Sequence, residues 1–117
     1  MKKEIRFYQT NSGKRPFIDW LEAQKDKVVR AQVNARLARL AVGNYGDTKS
    51  IGKGIQEARI HYGAGYRMYF AELDNEIILL LLGGSKNTQE KDIKKAKEYW
   101  QKFMEGIELC EKNTLKV

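Results

Sequence analysis

The chain has 117 residues, 42% of them apolar, which fits one domain with its own core and excludes a chain disordered by composition. One cysteine and one histidine exclude an intrachain disulfide and a Cys/His zinc site, and the longest apolar run, Ile77 to Leu82, is too short to span a membrane. A formal charge of +7 points to an anionic partner: nucleic acid, an acidic protein or an anionic surface.

"EIRFYQ" is rich in β-formers and predicts a first strand; the basic start before it is followed by no apolar h-region, so no signal peptide is expected. "NSGKRP" breaks the chain, and Pro16 suits the first turn of a helix in which Phe17, Trp20 and Leu21 share a side. A second helix starts near Lys27 or Val28, with Val29, Val33, Leu37 and Leu40 as its apolar stripe, and "VGNYGD" ends it. "TKSIGKG" reads as a basic, glycine-rich loop carrying Lys49 and Lys53. Three strands follow in a meander: "IQEARIHY", "GYRMYFAEL" and, after the Asp74–Asn75 turn signal, "EIILLLLGG", which is apolar on both faces and therefore central. "GSKN" leads to a last helix, "TQEKDIKKAKEYWQKFME", with Asn87 and Glu90 spaced as a capping box and Ile93, Ala96, Trp100, Phe103 and Met104 facing inward. Residues 106–117 read as a tail or a partner-binding strand. The expected fold is α+β in the order β-α-α-β-β-β-α: a small antiparallel sheet with a helix hairpin on one face, a C-terminal helix, and the other face partly open.

The stretch "RIHYGAGYRMYF" predicts a hairpin. A three-residue loop of Gly63, Ala64 and Gly65 pairs Tyr62 with Tyr66, Ile60 with Met68, His61 with Arg67 and Arg59 with Tyr69. One face of the ribbon then carries Ile60, Tyr62, Tyr66, Met68 and Phe70. The other, expected to lie open, carries Arg59, His61, Arg67 and Tyr69.

The words "FIDWL", "GDTKSIGKGIQEARIHYGAGYRMYF" and "LLLLGGSKNTQEKDIKKAKE" resemble the RelE/ParE superfamily of toxins from type II toxin–antitoxin modules, nearest to its HigB-like addiction-module killer branch. The resemblance spans residues 3 to 105 and implies a toxin domain over 1–105, a RelE-like fold, a cytoplasmic location, and no cofactor or metal. It implies a cognate antitoxin, in this branch a small helix-turn-helix DNA-binding protein. RelE-like members cut messenger RNA in the ribosomal A site; ParE-like members poison DNA gyrase. A shared fold does not choose between them, and a degenerate copy acting only as an RNA- or protein-binding module is a third reading.

Cutting RNA without a metal uses the neighbouring 2′-hydroxyl as nucleophile. It needs a base for that proton, an acid for the leaving 5′-oxygen and cations for the charge gathering on phosphorus. His61 is of the residue type that moves protons near neutral pH. Arg59 and Arg67 offer planar forks to a phosphate, and Lys86 adds a cation from the loop after the last strand. Lys49 and Lys53 are candidates for the RNA backbone, and Tyr69 for stacking on a base. The resemblance matches Arg67 to the "GYR" arginine and Arg59 to a catalytic lysine of RelE-like nucleases. The tyrosine that those enzymes carry at the start of the last helix has no counterpart in "NTQEKDI", and the C-terminal residues lack the histidine of HigB-like nucleases. Either His61 substitutes, or the acid–base pair comes partly from Asp92, Lys86 or the ribosome itself, or catalysis is poor.

Overall fold

The computed structural model describes residues 2–115, with side chains for residues 2–107. Its elements are β1 (Glu4–Phe7), α1 (Pro16–Glu22), α2 (Lys27–Ala41), β2 (Thr48–Gly52), β3 (Ile55–Ile60), β4 (Tyr66–Leu73), β5 (Ile77–Ser85), one 3-10 turn (Lys86–Thr88) and α3 (Gln89–Leu115). The strands form one five-stranded sheet in the order β1-β5-β4-β3-β2. β1 runs parallel to β5 and the other pairs are antiparallel, so the sheet is mixed rather than antiparallel as expected. Among the described residues no helix is long and apolar enough to cross a membrane.

β2 is the strand that the "TKSIGKG" loop conceals. Lys53 and Gly54 both have positive φ, as a two-residue primed hairpin turn requires, and Gly52 pairs with Ile55 across it. Glycine is expected at such a turn, but lysine in its first position hides the signal. β5 lies inside the sheet and is buried for most of its length, which accounts for its continuous apolar run.

The layers follow from alternation. Ala58, Ile60, Met68, Phe70, Ile78 and Leu80 face α1 and α2 and enclose a core with Phe17, Val29, Val33 and Leu40. Ile55, Tyr69, Ala71, Leu79 and Leu81 face the other way and pack on Ala96, Ile93, Trp100 and Phe103 of α3. The face expected to be open is therefore covered along most of its length by α3. Met104, expected inward, is 42% exposed. The expected capping box of Asn87 and Glu90 is instead formed two residues earlier by Ser85 and Thr88. The helix continues past residue 105 to Leu115, where a tail is expected; the side chains of that stretch lie outside those described.

Two adjacent glycines let both helical layers close on the end of β5. A Cβ on Gly83 would enter the Trp20 ring of α1, and one on Gly84 would collide with the Asp92 carboxylate of α3.

Candidate functional site

The β3–β4 turn is longer than expected. Ile60 pairs with Tyr66 and Arg59 with Arg67, so the loop is His61 to Gly65. The register slips by two residues from the expected pairing. An even slip preserves alternation, so the two faces still segregate as predicted, but His61 and Tyr62 leave the ladder. Tyr62 reaches back to the start of α2, where its hydroxyl donates to Asp26 Oδ2 at 3.1 Å. Gly63 and Gly65 have positive φ, and the Gly65 amide closes the turn on the Tyr62 carbonyl at 2.9 Å.

The turn and the β5–α3 junction meet at one end of the sheet. The Lys86 amide donates to the Gly65 carbonyl at 3.1 Å and ties them together. Between them lies an open cleft of about 400 Å³ lined by Arg59, His61, Tyr62, Tyr66, Arg67 and Lys86. The four residues singled out for catalysis thus surround one space.

Beneath the cleft sits Glu57, whose side chain is 1% exposed. Arg59 Nε donates to its Oε1 at 3.1 Å, Gln89 Nε2 donates to its Oε2 at 2.9 Å, and Arg67 Nε lies 3.5 Å from Oε2. To one side, His61 Nε2 lies 2.6 Å from Asp47 Oδ2. That hydrogen bond, with the nearby Arg59 and Arg36 charges adding to it, holds the Asp47 carboxyl below its usual pKa. Nδ1 of His61 makes no hydrogen bond among the described residues and is the nitrogen left for a ligand.

Arg36 of α2 fixes both groups through their backbones. Its Nη2 donates to the Arg59 carbonyl at 2.7 Å, and its Nη1 lies 3.5 Å from the carbonyls of Tyr45 and Asp47. Burial lowers the Arg36 pKa, and the neighbouring Arg39 charge adds to this. Gly46, at positive φ, brings the loop against that guanidinium: a Cβ there would lie 3.5 Å from its Cζ.

No family model matches the chain. Over 81 residues it is 48% identical to an uncharacterized protein of Haemophilus influenzae, an alignment that covers 69% of this chain and 82% of that protein. The chain belongs to that protein's family. The kinship brings no activity with it, so the chemistry of the cleft rests on its geometry.

Three sequence-predicted site residues lie away from the cleft. Tyr69 is fully buried under α3 and cannot stack on a base. Burial pushes the pKa of its hydroxyl up, the neighbouring Glu57 charge adds to this, and the hydroxyl has no hydrogen-bond partner. Lys53 occupies the β2–β3 turn at the opposite end of β3, roughly 20 Å from Arg59 at strand spacing. Lys49 is closer: it pairs with Glu57 across the exposed β2 edge, one strand from the cleft floor. Asp92, weighed as an acid or base, is buried under Gly84 and takes a hydrogen bond from Thr88 at 2.5 Å, and its desolvation raises its pKa. Among the described residues no group of three His, Cys, Asp or Glu side chains is placed to hold a metal ion.

Sequence reasoning missed Glu57, Gln89, Asp47 and Arg36. For Glu57 a signal existed: in "QEARI" it stands two residues before Arg59 and therefore on the same strand face. Asp47 lies fourteen residues from His61 and carries no local signal.

Proposed function

We propose that the chain is the toxin of a type II toxin–antitoxin pair, a HigB-like member of the RelE/ParE superfamily that cuts messenger RNA on the ribosome without a metal. The observation that carries the proposal is the convergence of Arg59, His61, Arg67 and Lys86 on one open cleft. Three cations there suit a phosphodiester, and the histidine offers a free nitrogen for proton transfer.

In this mechanism the 2′-hydroxyl oxygen attacks the adjacent phosphorus and its proton passes to His61 Nδ1. The bond from phosphorus to the 5′-oxygen breaks. That oxygen takes a proton from the Lys86 ammonium, and exchange with water resets both groups. The products are a 2′,3′-cyclic phosphate and a 5′-hydroxyl. The Arg59 and Arg67 guanidiniums stabilise the charge that builds on the non-bridging oxygens. Asp47 orients the imidazole through Nε2. The partners of this reading are the ribosome, its messenger RNA and an antitoxin of helix-turn-helix type, all in the cytoplasm.

Induced expression followed by primer extension on cellular messages tests the proposal. New 5′ ends inside translated codons are expected. Intact messages together with a DNA-damage response would decide for gyrase poisoning.

A further inference from the structure

Among the described residues Glu57 is the most deeply buried charged side chain. It stands inside the sheet on β3, between β2 and β4, where an apolar residue would pack without desolvation. Oε1 accepts from Arg59 Nε at 3.1 Å, and Oε2, which accepts from Gln89, faces Arg67 Nε at 3.5 Å as an ion pair. This buried Nε makes no hydrogen bond among the described residues, which leaves Glu57 as the charge that its inner edge meets. For Arg67 the direction of the outer edge is visible as well. A Cβ on Gly65 would lie 4.0 Å from Arg67 Nη1, so this nitrogen sits against the turn that walls the cleft. Arg59 and Arg67 are also direct cross-strand partners, and two like charges so placed repel unless a counter-charge lies between them.

We infer that Glu57 is a positioning residue: it clamps Arg59 and Arg67 by their Nε edges so that their Nη edges form a preorganised double fork for one phosphodiester. The choice of phosphodiester rests on the RNA-cleaving reading. The clamp itself rests on the geometry around Glu57. A carboxylate acting only as a packing element has no need to contact both arginines on the same edge. Gln89, the first residue of α3, braces the carboxylate from above, so the clamp is locked only when α3 is docked.

The test is made on the full chain. Side-chain Nε–Hε signals of Arg59 and Arg67, assigned with Arg59→Lys and Arg67→Lys, are followed by NMR with and without a dinucleotide carrying a 2′-deoxy sugar at the scissile position. Both protons are expected to exchange at least tenfold more slowly than that of exposed Arg39, and to shift when the dinucleotide binds. Exchange as fast as that of Arg39 overturns the clamp, whatever the cleavage result. On ribosomes, Glu57→Gln should lower kcat at least tenfold while leaving KM unchanged or lower, because the cleft gains net positive charge as the forks lose their anchor. Wild-type kcat, or a matched loss in kcat and substrate binding by a folded variant, also overturns it. Should Glu57→Gln not fold, Gln89→Leu takes its place: it should lower kcat severalfold and speed Nε–Hε exchange together, and no change in either refutes the inference. Protected, ligand-sensitive Nε protons in a wild-type protein that cuts no RNA would leave the clamp standing and remove the nuclease reading.

Discussion

Asp47 and His61 lie fourteen residues apart in the chain and meet through a 2.6 Å contact between Oδ2 and Nε2. Neither belongs to a strand or helix. What brings them together is the buried Arg36, which draws the loop carrying Asp47 and the end of β3 to one guanidinium, and the Asp47 carbonyl, which accepts from the Arg59 amide at 2.9 Å. A buried cation on α2 thus sets the geometry of an exposed acid–base pair.

Asp47→Asn tests that pair through pH. The folded-state pKa of Asp47 lies below its unfolded value, chiefly because of the hydrogen bond with His61. Its contribution to stability is therefore present above the unfolded pKa and disappears as pH falls through the folded one. The wild type should lose slightly more stability than Asp47→Asn between about pH 5 and pH 2. The difference will be small, because the side chains of His61 and Asp47 are 75% and 47% exposed. Urea unfolding at both ends of that range measures it, and parallel losses in the two proteins would refute the pairing.

Tyr69→Phe separates a core tyrosine from an RNA-stacking one. The Tyr69 hydroxyl is buried without a partner, so deleting it should leave stability unchanged or raise it by about 1 kcal/mol. Cleavage should continue at the wild-type rate. A clear loss of stability would mean that the hydroxyl is bonded, to Glu57 above all.

The glycines predict opposite signs at two positions. Gly84→Ala drives a methyl into Asp92, which Thr88 holds in place, and should destabilise by about 3 kcal/mol or more. Gly106→Ala, on α3 with no atom within 4 Å of the new Cβ, should stabilise by about 0.5 to 1 kcal/mol. Thermal unfolding of the two variants beside the wild type checks both signs. Equal effects would place α3 differently on the sheet.

What the sequence discloses and what it hides divide along physical lines. α1 and α2 were legible because Pro16 and the stripe of Val29, Val33 and Leu40 are local signals, and the buried strand Ile77–Ser85 because its apolar run is continuous. The parallel pairing of β1 with β5 was not, since register between distant strands leaves no mark on either. The docking of α3 was hidden too. Its inward residues could be named, but not the face that they would cover, and that one choice decides whether Tyr69 is a surface residue or core. Within the site, alternation grouped Arg59 with Arg67 in spite of the wrong register, because an error of two residues returns every side chain to its own face. Glu57 shares that face, but its value depends on α3 and Gln89 closing over it.

Lys49 and Lys53 were paired by sequence and are parted by structure. Lys49 adjoins the cleft floor beside Glu57, whereas Lys53 stands at the far end of the β2–β3 hairpin. If RNA follows the cleft, Lys49→Ala should reduce the salt dependence of RNA binding by about 0.7 in log–log slope, the value for one phosphate contact on a single strand. Lys53→Ala should leave the slope unchanged. Titrations across salt concentrations decide, and the reverse pattern would move the RNA path along the hairpin.

The final prediction sets the nuclease against the gyrase poison on the cleft itself. His61→Ala removes the proposed base from a side chain that is 75% exposed, so the fold should survive, and cleavage should fall on the order of 10²–10⁴-fold. Arg67 requires a gentler substitution than alanine. Its side chain is only 13% exposed and faces Glu57, so truncation would unbalance a buried carboxylate as well as remove a phosphate ligand. Arg67→Lys keeps the charge and loses the planar fork; if the fork stabilises the transition state, cleavage should fall up to about a hundredfold, the cost of one lost oxyanion donor. A point charge would suffice if Arg67 only attracted RNA, and the lysine variant would then cut normally. Each variant is assayed for message cleavage on translating ribosomes and for growth arrest, with circular dichroism to confirm folding. Under the nuclease reading, arrest weakens in step with cleavage. Arrest that survives both substitutions, with gyrase inhibited, would assign the toxicity to a surface other than this cleft.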